Sequence, residues 1–216
     1  MARGRPRKVD TKDALQSVMI AFWQNGYSGT SMNDLAEASG MAKPGLYAAF
    51  GDKEAIFEKA LLHYFETYGG PVFSRLQEAR KHFVDDFRDF LGAIADLTLD
   101  ANTPSGCFLV NAIVDCTYGA ERHQEVVNGL RESRYAAIKE RLIKAAAAGQ
   151  MPADADIERA ATFLDGQFSA IAMLGRSGIS EPDLKTFIET GLRALPVSDP
   201  DGFFEQRVLN VPILRQ

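Results

Sequence analysis

The spacing of apolar residues near the start of the chain predicts a helix. Asp10 or Thr11 can cap its first turn, and Gly26 can end it, because glycine readily adopts the backbone conformation found just after a helix. Between these ends, four apolar side chains recur at intervals of three and four residues and therefore share one helical face. They are Leu15, Val18, Met19 and Phe22.

Two short helices are predicted next. Ser31 and Asp34 form the serine-x-x-acid pattern of a helix N-terminus, and Gly40 can end that helix. Pro44 suits the first turn of the following helix, where a backbone N–H is not needed, and Gly51 can end it. Two short helices joined by a tight glycine turn are typical of a helix-turn-helix, although a generic antiparallel helix pair has the same signature.

Helical patterns also cover most of the remaining chain. Asp52 can cap a fourth helix that continues through Tyr64. Further helical stretches are predicted over 71–100, over the short apolar segment 107–116, over 126–148, from Asp154 or Asp156 to about Leu174, and from Ser180 to Leu195. Two apolar helices at the end of a chain favour an antiparallel pair, which a second copy could complete to a four-helix interface. The predicted fold class is therefore all-α.

Composition narrows the class of protein. The chain has 216 residues, of which 46% are hydrophobic and 25% charged, as in ordinary globular proteins, and its two cysteines cannot form a disulfide scaffold. It contains no run of about 18 apolar residues that could span a membrane. The basic N-terminus has no apolar segment behind it, as a secretory signal would. We therefore expect a cytoplasmic protein that has no membrane partner.

The charge is unevenly distributed. A net charge of −5 argues at first against a nucleic-acid partner. However, residues 1–8 contain four basic and no acidic side chains, whereas residues 61–216 contain 16 basic and 22 acidic ones. A short basic arm is often only a solvated tail, but beside a module that reads a DNA groove it would bind phosphates or enter the minor groove. The four basic residues are Arg3, Arg5, Arg7 and Lys8.

Residues 10–60 carry three dense motifs: aromatic-x-x-x-Gly-Tyr-x-x-Thr-Ser, then Leu-Ala-x-x-Ser-Gly, then Lys-Pro-Gly-Leu-Tyr-x-x-Phe-x-x-Lys-Glu. In these motifs the chain resembles the TetR (tetracycline-repressor/AcrR) family of bacterial transcriptional regulators. The resemblance implies a homodimer with an N-terminal three-helix DNA-binding domain and a C-terminal helical domain that binds a small effector and dimerises. The domains expected are a basic arm (1–9), a helix-turn-helix domain (10–52), an effector-binding and dimerisation domain (53–196) and a C-terminal tail (197–216).

The resemblance also implies the contacts with double-stranded DNA, expected to be a palindromic operator. Residues 31–39 would brace the DNA backbone and residues 43–50 would form the recognition helix. Tyr47 and Lys53 match family residues that meet phosphates, although taken alone they could be a core aromatic and a solvated lysine. The DNA-contacting residues expected are Arg5, Lys8, Ser31, Asn33, Lys43, Pro44, Gly45, Tyr47, Ala48 and Lys53.

Sequence specificity is the point on which this chain departs from the family. Many members carry bulky or polar residues after the tyrosine, but this chain has Ala48 and Ala49, which cannot hydrogen-bond to a base edge. Lys43 and Asn33 are the residues here that look able to read bases directly. DNA shape and the basic arm are therefore expected to carry more of the specificity.

The C-terminal part contains the candidates for effector binding and dimerisation. Its aromatic residues are more often core than pocket, yet in a ligand-binding domain some would line a cavity beside polar anchors. The expected effector-binding residues are Phe87, Phe90, Phe108, Asn111, Asp115, Tyr135, Gln167 and Phe168. The expected dimer interface contains Phe163, Ala170, Leu174, Leu184, Phe187, Ile188 and Leu192.

Other chemistry is not indicated. Cys107 and Cys116 lack zinc-site spacing and the three histidines are scattered, so we favour buried thiols over a metal site, with redox sensing by Cys107 as a third interpretation. We expect no cofactor. Because no nucleophile, phosphate-binding or metalloprotease signature occurs, an enzyme is not expected. Two alternatives stay open: a helix-turn-helix dimer without an effector, serving chromosome organisation or partner recruitment, and an all-α ligand-binding protein or enzyme.

Overall fold

The computed structural model describes residues 9–79, 81–115 and 121–198, and every regular element in these ranges is helical. The predicted all-α fold class is confirmed. The basic arm and the C-terminal tail lie outside these ranges, except for Val9, Val197 and Ser198.

Three short helices form the N-terminal domain, as predicted. Of the two possible caps of the first helix, Asp10 is the one observed, and its carboxylate accepts a 2.7 Å hydrogen bond from the backbone N–H of Lys12. Gly40 adopts a left-handed conformation (φ 67°) that turns the chain tightly between the second and third helices. The helices are α1 (Thr11–Asn25), α2 (Met32–Ser39) and α3 (Lys43–Phe50).

A continuous helical segment connects this domain to the rest of the molecule. It consists of α4 (Lys53–Tyr64), a π-helical turn (Phe65–Gly69) and α5 (Gly70–Glu78). The wider turn forms just before Pro71, whose missing N–H cannot continue the α-helical ladder. Instead, the N–H of Gly70 donates to the carbonyl of Phe65, five residues back.

The single helical stretch predicted over 71–100 is wrong, because the structure divides it in two. The chain breaks at Ala79, whose φ of 45° lies in the left-handed region that L-residues rarely adopt. The second helix then starts after His82, whose ring nitrogen accepts from the backbone N–H of Val84.

The C-terminal body contains five helices in its described residues. The longest, α8, starts at Glu121 rather than at Val126 as the apolar pattern predicts, and Asp156 and Ser180 cap α9 and α10. Helix α6 packs against both α9 and α10, and α8 packs against α9. The helices are α6 (Phe83–Leu99), α7 (Phe108–Asp115), α8 (Glu121–Ala147), α9 (Ile157–Arg176) and α10 (Glu181–Leu192).

A buried ion pair joins α6 to α8 inside this body. The guanidinium of Arg141 donates through Nε to the carboxylate of Asp86 over 2.8 Å and through Nη2 to the carbonyl of Lys81 over 3.1 Å. The other carboxylate oxygen of Asp86 accepts from the backbone N–H of Lys81. Both charged side chains are almost fully buried, so each depends on the other for compensation of its charge.

Candidate nucleic-acid interface

Helix α3 presents two different faces. Leu46 and Phe50 lie four residues apart and are buried against the N-terminal core. Tyr47 points the other way with 50% of its surface exposed, and Ala48 is exposed beside it. The alternative that Tyr47 is a core aromatic is therefore wrong. Lys43 and Pro44 are also exposed at the first turn of α3, and Gly45 is partly exposed.

The N-terminus of α2 is built by reciprocal hydrogen bonds. The hydroxyl of Ser31 accepts from the backbone N–H groups of Asn33 and Asp34, and the carboxylate of Asp34 accepts from the N–H of Ser31 over 2.6 Å. These bonds to Ser31 hold the pKa of Asp34 below its ordinary value. Asn33 is exposed. The cap thus fixes the direction in which the start of α2 points.

Lys53 is held by an aromatic ring rather than free in solvent. Its ammonium nitrogen lies 4.1 Å from the centroid of the Tyr27 ring, a cation–π contact. Partial burial lowers the pKa of Lys53, while the nearby Asp34 carboxylate acts in the opposite direction. Lys53 thus has a defined position on the Tyr27 ring, and its contact with DNA stays a prediction.

Lys59 is a residue whose role the sequence did not reveal. Its ammonium group donates a 2.7 Å hydrogen bond to the carbonyl of Phe50, at the end of α3. A cation at a helix C-terminus satisfies an otherwise unpaired carbonyl and interacts favourably with the helix dipole. Helix α3 is thereby tied to α4. The two residues are nine positions apart, beyond the range of any local helix-end motif.

The last residue of the basic arm, Val9, lies beside this surface. Arg5 and Lys8 lie outside the described residues, so their contacts stay predictions. Val9 is described, and one of its methyl groups is 4.0 Å from the position that a Cβ on Gly40 would occupy. The arm therefore joins the domain next to the turn between α2 and α3.

The expected effector residues do not form one cluster. The rings of Phe90 and Phe168 stack with centroids 5.5 Å apart, and Phe87 contacts Phe90 at 6.4 Å. Phe108 lies elsewhere, against Phe57 and Tyr64. All four candidate phenylalanines are buried.

The polar candidates are also dispersed. The hydroxyl of Tyr135 donates to Glu158 at the surface between α8 and α9. Asn111 lines a groove between α7 and α9, and Gln167 packs against Gly191 of α10. Asp115 ends α7, but its side chain lies outside the described part of the structure. A single pocket containing all eight residues is therefore not what the structure shows.

Arg134 is a polar group beside the aromatic cluster that no sequence pattern indicates. Its side chain is only 1% exposed, its Nε donates to Asp165 over 2.6 Å, and its Cζ lies 4.6 Å from the Phe168 ring centroid. Nη2 donates to Ser169, whereas Nη1 is buried without a hydrogen-bond partner among the described residues. Arginines in amphipathic helices are normally exposed, so no local signal could reveal this.

The expected dimer residues separate into two groups. Leu184, Ile188 and Leu192 are buried inside the chain itself, because α10 turns this face towards α6 and α9. They are therefore unavailable to a second copy, contrary to the expectation. The partly or fully exposed group is Phe163, Ala170, Leu174 and Phe187.

Cys107 is a buried free thiol whose sulfur accepts a 3.2 Å hydrogen bond from the Tyr64 hydroxyl, while Cys116 lies outside the described residues. Within the described ranges, no group of three or more histidine, cysteine or acidic side chains could hold a metal ion. None of the helices described is both long and apolar enough to cross a membrane.

Comparison with known proteins shows which protein family has this architecture. Residues 19–60 match the family model of bacterial regulatory proteins of the tetR family, and residues 84–187 match the tetracyclin repressor-like C-terminal domain. The transcriptional repressor ComR of Escherichia coli is 33% identical over 199 residues, which are 90% of this chain and 93% of ComR. The regulator TtgR of Pseudomonas putida is 26% identical over 205 residues, or 85% and 90% of the two chains.

A solved structure extends this similarity to three dimensions. The TetR family regulator CifR, a cysteine mutant complexed with a 26-bp double-stranded operator DNA, has a TM-score of 0.81 and 30% identity, covering 89% of this chain and all of CifR. The chain therefore belongs to the TetR family, and it is a DNA-binding transcriptional regulator rather than an enzyme.

Proposed function

We propose that this protein is a homodimeric repressor that binds a palindromic operator and is released by a small-molecule effector. The observation that carries the DNA-binding part is the outward face of α3, where Lys43, Tyr47 and Ala48 are exposed above buried Leu46 and Phe50. The relatives ComR and CifR support it, one as a named repressor and the other through its operator complex.

Two copies of α3 enter successive major grooves about 35 Å apart. Lys43 and Asn33 offer polar groups to base edges, whereas Ala48 offers only a methyl group that can touch thymine. Tyr47 and Lys53 bind phosphates and fix the register of the protein on DNA. The basic arm, including Arg5 and Lys8, adds contacts in the neighbouring minor groove.

The dimer forms through the outward face of α9. Phe163, Gly166, Ala170 and Met173 follow one another at intervals of three or four residues and therefore lie along one side of the helix. Phe163 and Met173 are 37% and 59% exposed and therefore give this face apolar surface that a partner could cover. Gly166 lies between them and has open space in front of it, so another helix can approach closely.

The effector binds between α6, α8 and α9. The stacked rings of Phe90 and Phe168 supply an apolar surface, and the buried Nη1 of Arg134 supplies a donor for an oxygen atom of the ligand. Binding there weakens operator affinity only if the ligand prefers the dimer form with the wrong separation of its recognition helices.

The experiment that tests the function starts with selection of bound fragments from genomic DNA. The affinity for a selected fragment and for unrelated DNA is then measured by fluorescence anisotropy. Tyr47→Phe should weaken both complexes to a similar extent, about 3- to 10-fold, because it removes a hydrogen bond to phosphate. Lys43→Ala should mainly reduce the preference for the selected fragment, at a cost of about 1–3 kcal/mol.

Lys185→Ala, an exposed lysine on α10 in the body, is the charge-matched control and should change neither affinity. No selected fragment, or no effect of either α3 substitution, would contradict the operator-binding surface. A compound screen for ligands that raise the thermal stability and release the fragment tests the effector. If nothing releases it, the alternative of a helix-turn-helix dimer without an effector is favoured.

A further inference from the structure

His123 lies at the junction between the C-terminal body and the DNA-binding domain. It belongs to the first turn of α8, and its side chain is only 1% exposed. Its ring centroid is 4.2 Å from that of Tyr27, which follows α1, and 5.2 Å from that of Phe57 in α4. A side chain of the body thus packs against two aromatic residues that also contact each other, one of them beside the DNA-binding helices.

Tyr27 connects this histidine to the DNA-facing surface. The same tyrosine ring carries the ammonium group of Lys53 at 4.1 Å and packs edge-to-face on Phe57 at 5.1 Å. His123, Tyr27 and Lys53 therefore form a chain of direct contacts from α8 to the first residue of α4. Because close-packed rings cannot move independently, a shift of α8 is transmitted to the lysine.

Burial favours the neutral form of the histidine. Neither ring nitrogen makes a hydrogen bond in the described structure, and Nδ1 lies 3.5 Å from a carboxylate oxygen of Glu54. Burial is the main cause that lowers the pKa of His123 below its ordinary value of 6.5, and the charge of Lys53 acts in the same direction. The acidic groups facing it, which oppose this shift, are Glu54, Glu58 and Asp52.

We propose that His123 is a positioning residue for DNA binding: it holds Tyr27 against Lys53, so that Lys53 is presented to a phosphate. This inference rests on the proposed function, because it requires that Lys53 contacts DNA. The neutral ring supports Tyr27 without repelling the ammonium group beside it. When α8 withdraws His123, Tyr27 loses this support and Lys53 loses its fixed position.

A double-mutant cycle tests the inference in the full-length protein with a selected operator fragment. Affinity is measured by anisotropy over a series of salt concentrations at pH 7.5. Lys53→Ala should reduce the slope of log affinity against log salt by about 0.9, the value for one lost phosphate contact. His123→Ala should reduce it by a similar amount, and the double mutant should lose no more than either single mutant.

Two controls separate positioning from general destabilisation. His123→Phe keeps an aromatic ring in place and should restore the slope, whereas His63→Ala, which removes a histidine paired with Gln16, should leave it unchanged. Circular dichroism and thermal unfolding verify that each variant is folded. If His123→Ala does not fold, His123→Asn and the pH series provide the same comparison.

Operator affinity is also measured over a series of pH values. Its pH dependence is a readout that a purely packing role of His123 would not affect. A histidine released from its buried position regains a pKa near 6.5, so protons bind preferentially to the state in which it is withdrawn. Operator affinity of the wild type should therefore fall as the pH decreases below about 6.5, relative to that of His123→Phe.

The outcomes distinguish a failure of the Lys53–phosphate contact from a failure of the role of His123. If Lys53→Ala leaves the salt slope unchanged, the phosphate contact fails, and the inference fails with it. If Lys53→Ala lowers the slope but His123→Ala does not, or if their effects add, only the inference is overturned. Identical pH profiles of the wild type and His123→Phe would also overturn it.

Discussion

The DNA-binding domain and the C-terminal body differ in what determines the orientation of a side chain. In the domain formed by α1, α2 and α3, a cap or a turn occurs every few residues, and each short helix has only one way to bury its apolar stripe. In the body, α9 carries apolar residues on several sides over 20 residues. There the apolar pattern alone does not determine which side faces the core.

The two terminal helices illustrate this difference. Leu184, Ile188 and Leu192 share a helical face that looks suitable for a dimer, but α6 covers it within the same chain. The surface left exposed is instead on α9, at Phe163 and Met173. Local sequence thus determines the outward residues of the domain, whereas contacts distant in sequence determine those of the body. Three matched pairs of substitutions test this contrast, from the largest expected effect to the smallest.

The largest effect is expected in the core of the body. Asp86→Ala leaves the buried guanidinium of Arg141 without its counter-charge, and should lower the free energy of unfolding by about 3–5 kcal/mol, as measured by urea denaturation. As a control, Asp96→Ala removes an exposed carboxylate from the same helix. It should change the free energy of unfolding by less than about 0.5 kcal/mol. Equal effects would show that the Asp86–Arg141 pair does not stabilise the body.

An intermediate effect is expected at the proposed dimer surface. Gly166→Gln places a side chain on the outward face of α9, where it should hinder a second copy at a cost of about 1–3 kcal/mol, or roughly 5- to 150-fold in the dimer dissociation constant. Gly129→Gln on α8 is a matched control, since a Cβ at either glycine meets no atom within 4 Å. Sedimentation that shows both variants equally dimeric would exclude this face of α9.

The smallest effect is expected from two matched helix caps. Ser31→Ala in the DNA-binding domain and Ser180→Ala in the body each remove a hydroxyl that accepts from the start of a helix. Each should lower the free energy of unfolding by about 1 kcal/mol, measured by thermal or urea unfolding. Operator affinity, measured by anisotropy, should fall with Ser31→Ala alone. A similar loss of operator affinity with Ser180→Ala would show that the two caps do not differ in their effect on DNA binding.

Much of the fold could be predicted from local chemistry. The caps at Asp52, Asp156 and Ser180 mark helix starts because a side-chain oxygen satisfies backbone N–H groups only a few residues away. The outward position of Tyr47 follows in the same way, since Leu46 and Phe50 occupy the inward face of a short helix.

The remaining features depend on partners that are distant in sequence. Arg134 can be buried because Asp165 and Ser169 of another helix accept hydrogen bonds from its guanidinium. Lys59 donates to the carbonyl of Phe50, which lies across a turn. His123 meets Tyr27 across nearly a hundred residues. Helical periodicity does not indicate contacts between residues so far apart in sequence. The sequence motifs of residues 10–60 therefore predicted which residues of the DNA-binding domain are exposed, but not the contacts of Lys59 and His123 that hold them in place.

The continuous helical segment from Lys53 to Glu78 has a mechanical consequence. At a rise of about 1.5 Å per residue it is a rod roughly 39 Å long. Because Lys59 ties the end of α3 to this rod, α3 moves with it. A tilt of only about 5° at the far end would displace the near end by roughly 3.4 Å, the spacing of successive base pairs in DNA. A tilt of that size would therefore displace α3 by about one base-pair step relative to its operator.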